Sequence, residues 1–161
     1  MIKVFKFGGA SVKDADGVKN LLKVLEETGK GDKLIIISAM GKMTNALETV
    51  VNDYLEKMDF KASLQAVKNF HFNIINELFE AKDSQIQDKV NEHFTELENF
   101  LKHNKSKKYD FVYDQIVCYG ELISTSIVSA YLETQNIKNN WLDAREFIKT
   151  DSVYRDAQVD W

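Results

Sequence analysis

Lys3-Val4-Phe5-Lys6-Phe7-Gly8-Gly9-Ala10-Ser11-Val12 is the stretch whose reading decides the fold. Val4, Phe5 and Phe7 suit a pleated surface, so the stretch opens as a short strand and breaks at two adjacent glycines. Lacking Cβ atoms, Gly8 and Gly9 let the backbone approach an anion and turn its N–H groups toward it, while Lys6 brings a mobile positive charge to the same spot. Ser11 through Gly17 reads as a helix start, with Ser11, Asp14 and Asp16 as candidate caps. A strand, a glycine turn and a helix N-terminus together form an anion cradle. The spacing is neither the phosphate-loop pattern nor the dinucleotide fingerprint. A plain tight turn from strand to helix therefore stands beside the cradle as an alternative.

Outward from this stretch, Val18, Leu21, Leu22 and Leu25 recur at helical spacing between about Asp14 and Glu27, and Gly29 and Gly31 end the helix. Leu34-Ile35-Ile36-Ile37 is a continuous apolar run and reads as a strand buried on both faces. Strand, helix and strand in succession imply a right-handed crossover and a parallel pair. Ligands in such sheets sit at the carboxyl ends of the strands. Gly8-Gly9 and Ser38-Ala39-Met40-Gly41 both fall at such ends, which predicts that the two loops line one crevice.

Farther along, Leu47, Val50, Val51, Tyr54, Leu55 and Met58 mark a second amphipathic helix. A third is expected from about Phe60 to Glu80 and a fourth from about Ser84 to His103, its apolar residues at near-heptad spacing. These two make a helical hairpin, an insert over about 60–103 whose apolar residues are assigned to packing. Phe111 to Cys118 and Leu122 to Leu132 read as a helical stretch interrupted at Gly120-Glu121. Asn140 to Arg145 reads as a short strand running into a loop, Glu146 to Ile148 as a turn of helix, and Val153 to Trp161 as a loop entering another strand. His71, His93 and His103 have no histidine or cysteine one turn away, so no metal site is predicted.

The 161 residues suit one domain or a piece of a larger one. A net charge of −4 argues against a general nucleic-acid or membrane-surface binder. No apolar run approaches the roughly 18 residues of a membrane span. The single Cys118 cannot form an internal disulfide and fits a reducing cytoplasm. Proline is absent and glycines number only seven, so few breakers are available and long helices should dominate.

Three polar residues join Lys6 as candidates. Ser38 directly follows a strand, where a hydroxyl can face the crevice. Thr44 falls in the first turn of the next helix, where its hydroxyl and free N–H groups would either hold a carboxylate or cap the helix. Glu121 is a carboxylate in the mostly apolar stretch Tyr119-Gly120-Glu121-Leu122-Ile123-Ser124. Such a group needs a cation, from inside the protein or from a ligand.

Lys6-Phe7-Gly8-Gly9-Ala10-Ser11-Val12 resembles the amino-terminal signature of the aspartate kinases, although that family commonly carries Thr or Ser where Ala10 stands. Ser38-Ala39-Met40-Gly41-Lys42-Met43-Thr44-Asn45 is similar to the family's second substrate loop. Gly120-Glu121-Leu122-Ile123-Ser124 is similar to its substrate-binding helix start, and Asp143-Ala144-Arg145 with Ile148 and Thr150-Asp151 to its next segment. The resemblance implies the amino-acid kinase fold, an αβα sandwich around a mainly parallel sheet. The chain would be the amino-terminal, aspartate-binding lobe, spanning 1–161, of a protein that continues beyond Trp161.

By the same resemblance the enzyme transfers the γ-phosphoryl group of ATP, with Mg²⁺, to the side-chain carboxylate of L-aspartate, on the route to lysine, threonine and methionine. Lys6 would stabilise the transferring phosphoryl group, with Gly8, Gly9 and Ser11 at the phosphates. Ser38 and Thr44 would hold the aspartate, and Glu121 would take its α-ammonium. Asp143 and Arg145 are candidates too, with mutual pairing or loop capping the favoured reading. The ATP-binding lobe would lie downstream, so the isolated chain is expected to have little kinase activity. An acetylglutamate, glutamate or uridylate kinase, or a non-catalytic regulatory or assembly module, remains the alternative, and homo-oligomerisation stays open.

Overall fold

The computed structural model describes residues 1–80 and 84–161. Strand β1 (Lys3–Phe7) runs into a 3-10 turn (Gly9–Val12) and helix α1 (Ala15–Glu27), and strand β2 (Lys33–Ile37) returns beside β1. The two strands pair in parallel with Lys6 opposite Ile36 and Phe7 opposite Ile37. Asp14 starts α1, its carboxylate accepting a hydrogen bond from the Gly17 N–H at 2.8 Å, so Asp14 is the cap and Ser11 lies in the 3-10 turn before it.

Helices α2 (Met43–Leu55), α3 (Phe60–Leu78), α4 (Ser84–His103), α5 (Tyr109–Val117), α6 (Tyr119–Thr134) and the single turn α7 (Ala144–Phe147) complete the chain. α2 packs on α3 and α5, and α4 packs on α6. Their apolar stripes meet in one core that includes Leu47, Val51, Ile75, Phe94, Leu97, Ile116 and Ile123. The apolar side chains Phe5, Phe7, Ile35 and Ile37 cover this core from one side. Among the described residues no helix is long and apolar enough to cross a membrane.

Several expectations are corrected. β2 is not buried on both faces, because Leu34 is 47% and Ile36 50% exposed, as is Val4 of β1 at 62%. A single helical layer covers the pair, so alternate side chains face outward despite the unbroken apolar run. α2 stops before Met58, which is exposed, and Lys57 takes a positive φ of 59° just after it. The helical break near the end falls at Cys118, so Gly120 and Glu121 stand in the first turn of α6. Asn140 to Arg145 forms no strand. The Asp143 carboxylate instead caps α7 through the Arg145 N–H at 2.9 Å. The final segment contributes only an isolated antiparallel bridge between Thr150 and Val159.

Candidate functional site

The loops that follow β1 and β2 meet where the two strands end. The ladder runs one residue past β2, the Ser38 N–H donating to the Phe7 carbonyl at 3.1 Å, and the Gly41 N–H then donates to the Gly9 carbonyl at 3.0 Å. The two loops touch so closely that a side chain at Gly9 would collide with the carbonyls of Ala39 and Gly41. Glycine at position 9 is thus required by packing. Lys6 points to the open face of the sheet, and its ammonium hangs beside the turn, 3.6 Å from where a Cβ on Gly8 would be. Among the described residues the N–H groups of Gly8 and Gly9 have no hydrogen-bond acceptor.

α6 presses its first turn against the same loop. Gly120 leaves no room for a side chain against Ala39 and Leu47. One residue on, Glu121 Oε1 accepts the Ala39 N–H at 3.2 Å. Ser124, one turn further along that helix face, donates its hydroxyl to the Ser38 carbonyl at 2.9 Å. Glu121 is half-buried and has no lysine, arginine or histidine nitrogen within salt-bridge distance among the described residues.

Thr44 stands in the first turn of α2, shortly after Gly41. No side chain caps that helix start, since Lys42 occupies the N-cap without a side-chain hydrogen bond. The Met43 N–H donates to the Met40 carbonyl at 3.0 Å, while among the described residues the N–H groups of Thr44 and Asn45 have no acceptor and open at the end of the helix nearest the glycine turn. The structure thus brings Gly9 and Glu121 against the Ser38–Gly41 loop, with Lys6 beside Gly8 at the end of the neighbouring strand and Thr44 on the helix leaving that loop. Ser11 sits exposed on the 3-10 turn, its side chain without a hydrogen bond among the described residues.

Asp143 and Arg145 are paired with each other. The Arg145 Nε donates to both carboxylate oxygens at 3.0 Å and Nη2 to Oδ2 at 2.7 Å. This guanidinium holds the Asp143 carboxyl below its usual range. Arg145 Nη1 lies 3.9 Å from Cys118 Sγ, so the pair leans on the joint between α5 and α6. Burial pushes the Cys118 thiol up, away from thiolate.

Ser124 is the residue that sequence reasoning quoted but left without a role. Its signal was present: spacings of four from Gly120 and three from Glu121 place all three on one helix face.

Together these features define an α/β protein in which the candidate polar residues lie where two parallel strands end, beside a glycine turn and the first turns of two helices. The sequence matches the amino acid kinase family over residues 1–160, and the chain belongs to that family. It is 33% identical over 156 residues to aspartokinase 1, chloroplastic, of Arabidopsis thaliana, covering 92% of this chain and 26% of that protein. It is 26% identical over 159 residues to the bifunctional aspartokinase/homoserine dehydrogenase 2 of Escherichia coli, covering 98% of this chain and 19% of that protein. The fold superposes on E. coli aspartokinase III in complex with lysine and aspartate with a TM-score of 0.83 at 23% identity, over 99% of this chain and 35% of that one. The chain thus spans between a fifth and about a third of the length of these relatives.

Proposed function

We propose that this chain forms the aspartate-binding side of an aspartate kinase, an enzyme that converts L-aspartate and ATP to aspartyl phosphate and ADP. The observation that carries the reading is that Gly9 and Glu121, far apart in sequence, both contact the Ser38–Gly41 loop. A half-buried carboxylate without a cationic partner among the described residues suits the α-ammonium of an amino acid. The hydroxyls of Ser38 and Thr44 and the N–H groups of Thr44 and Asn45 suit its carboxylates.

Lys6 and the unpaired N–H groups of Gly8 and Gly9 fit phosphate oxygens. In the reaction a side-chain carboxylate oxygen of aspartate bonds to the γ-phosphorus as the bond to the bridging oxygen breaks and ADP leaves. That carboxylate is already ionised at neutral pH, so no general base is needed. Positioning and charge neutralisation are what these residues supply. Among the described residues no group of three His, Cys, Asp or Glu is placed to hold a metal ion. Cys118 as a free thiol agrees with a cytoplasmic setting.

The test is titration of the chain with L-aspartate, L-glutamate, N-acetylglutamate and uridylate, followed through the amide resonances of Gly8, Gly9, Ala39 and Thr44. Saturable shifts with L-aspartate at concentrations where the other three give none are expected. Equal responses to all four, or shifts confined to other residues, overturn the assignment.

A further inference from the structure

A peptide unit offers two polar handles, a carbonyl and an N–H, and α6 takes both handles of a single one. The Ser38 carbonyl accepts from Ser124 Oγ at 2.9 Å, and the Ala39 N–H, across the same peptide bond, donates to Glu121 Oε1 at 3.2 Å. Ser124 is fully buried and Ala39 nearly so, so water has little access to replace the hydroxyl as a donor. Gly120 makes the approach close enough for both bonds.

From this we infer that Ser124 is a positioning residue, fixing the plane of the Ser38–Ala39 peptide and with it the aim of the Ser38 hydroxyl and the Glu121 carboxylate at one ligand. The inference rests on the aspartate reading above for the identity of that ligand. Holding the peptide at its carbonyl sets the torsions on either side of it, ψ of Ser38 and φ of Ala39, and so the direction in which the Ser38 side chain leaves the backbone. Holding it at its N–H occupies Glu121 Oε1. Oε2 makes no hydrogen bond among the described residues and is left to meet an ammonium. Without Ser124, the Ser38 carbonyl loses its hydroxyl partner, and Glu121 restrains the peptide at its N–H alone. Ser124 itself need not touch the ligand.

The experiment pairs amide hydrogen exchange with L-aspartate titration on the chain and its Ser124→Ala, Ser124→Thr and Glu121→Gln variants. In Ser124→Ala the Ala39 amide should exchange at least about fivefold faster, with amides in the middle of α4 and α6 unchanged, and L-aspartate should bind about fivefold more weakly, the size of one lost hydrogen bond. Ser124→Thr, which keeps the hydroxyl, should recover both. Glu121→Gln keeps an acceptor for the Ala39 N–H, so it should retain the slow exchange while losing aspartate binding.

Wild-type exchange at Ala39 in Ser124→Ala overturns the clamp. Fast exchange with unchanged aspartate affinity overturns the positioning role. If the wild-type chain binds no aspartate, the functional reading fails, and the exchange at Ala39 still decides the clamp on its own. Should the alanine variant not fold, Ser124→Cys replaces the strong donor with a weak one and is read by the same two measurements.

Discussion

Gly120 stands so close to Ala39 that a Cβ on it would lie 2.9 Å from the Ala39 Cβ and 3.2 Å from Leu47 Cδ1. Alanine would favour the helix by about 1 kcal/mol over glycine. Against that, the loop it meets is pinned at both ends of one peptide and cannot yield cheaply, so overpacking of about 1–3 kcal/mol should win. Gly120→Ala is therefore expected to lower the urea midpoint and weaken L-aspartate binding. A variant as stable as the parent would refute the close contact.

Gly9→Ala tests the other side of the crevice. The new methyl would lie 2.7 Å from the Ala39 carbonyl oxygen and 2.8 Å from that of Gly41, both backbone atoms. The two loops must part, straining the bond from the Gly41 N–H to the Gly9 carbonyl. A loss of about 2 kcal/mol in chemical denaturation is expected. If Gly8 and Gly9 served only a phosphate, stability would be unchanged.

Glu121→Gln removes a charge and keeps the shape. The amide oxygen can still accept from the Ala39 N–H, so the thermal midpoint should move by no more than a degree or two. L-aspartate affinity should fall roughly thirtyfold, because a partly desolvated charge pair is lost. Calorimetric titration reads the second effect and a thermal melt the first.

His71 gives α3 an acid sensitivity. It is fully buried between Phe70 and Phe94, and its Nδ1–H donates to the Val67 carbonyl at 2.9 Å while Nε2 has no partner among the described residues. Burial disfavours the imidazolium and pushes the pKa down to about 4 from 6.5. Between those two values the unfolded chain binds a proton that the folded chain refuses, so stability falls as pH drops through that window. The loss from pH 7.5 to pH 5 should be about 2 kcal/mol. His71→Leu should flatten this slope in urea unfolding at the two pH values. An unchanged slope would assign the acid sensitivity to other groups.

The parallel pair and its two glycine-bearing loops were legible because they depend on local signals: a strand ending in Gly8-Gly9, a helix capped by Asp14, and an apolar run ending at Ser38. The exposure of Leu34 and Ile36 was not, since four consecutive apolar residues carry no alternation to show that one face lacks a cover. The joint at Cys118 was misplaced by two residues because glycine usually marks a helix break. Here Gly120 instead answers to the nearness of Ala39, a tertiary cause that no local pattern reveals. Glu121 could be singled out as a carboxylate in apolar company. Its bond to Ala39 and the companion bond from Ser124 span 82 and 86 residues of chain.

Lys6 shares its side of the sheet with Val4, Leu34 and Ile36, all open to water. Any apolar layer laid over that side would strip solvent from around the lysine stem and lower the local dielectric. The pull of the ammonium on a nearby anion would then strengthen severalfold, as the effective constant falls from about 80 toward 20. Covering the outward surface of β1 and β2 would therefore work as a gain control on how strongly the Lys6 ammonium is felt by such an anion.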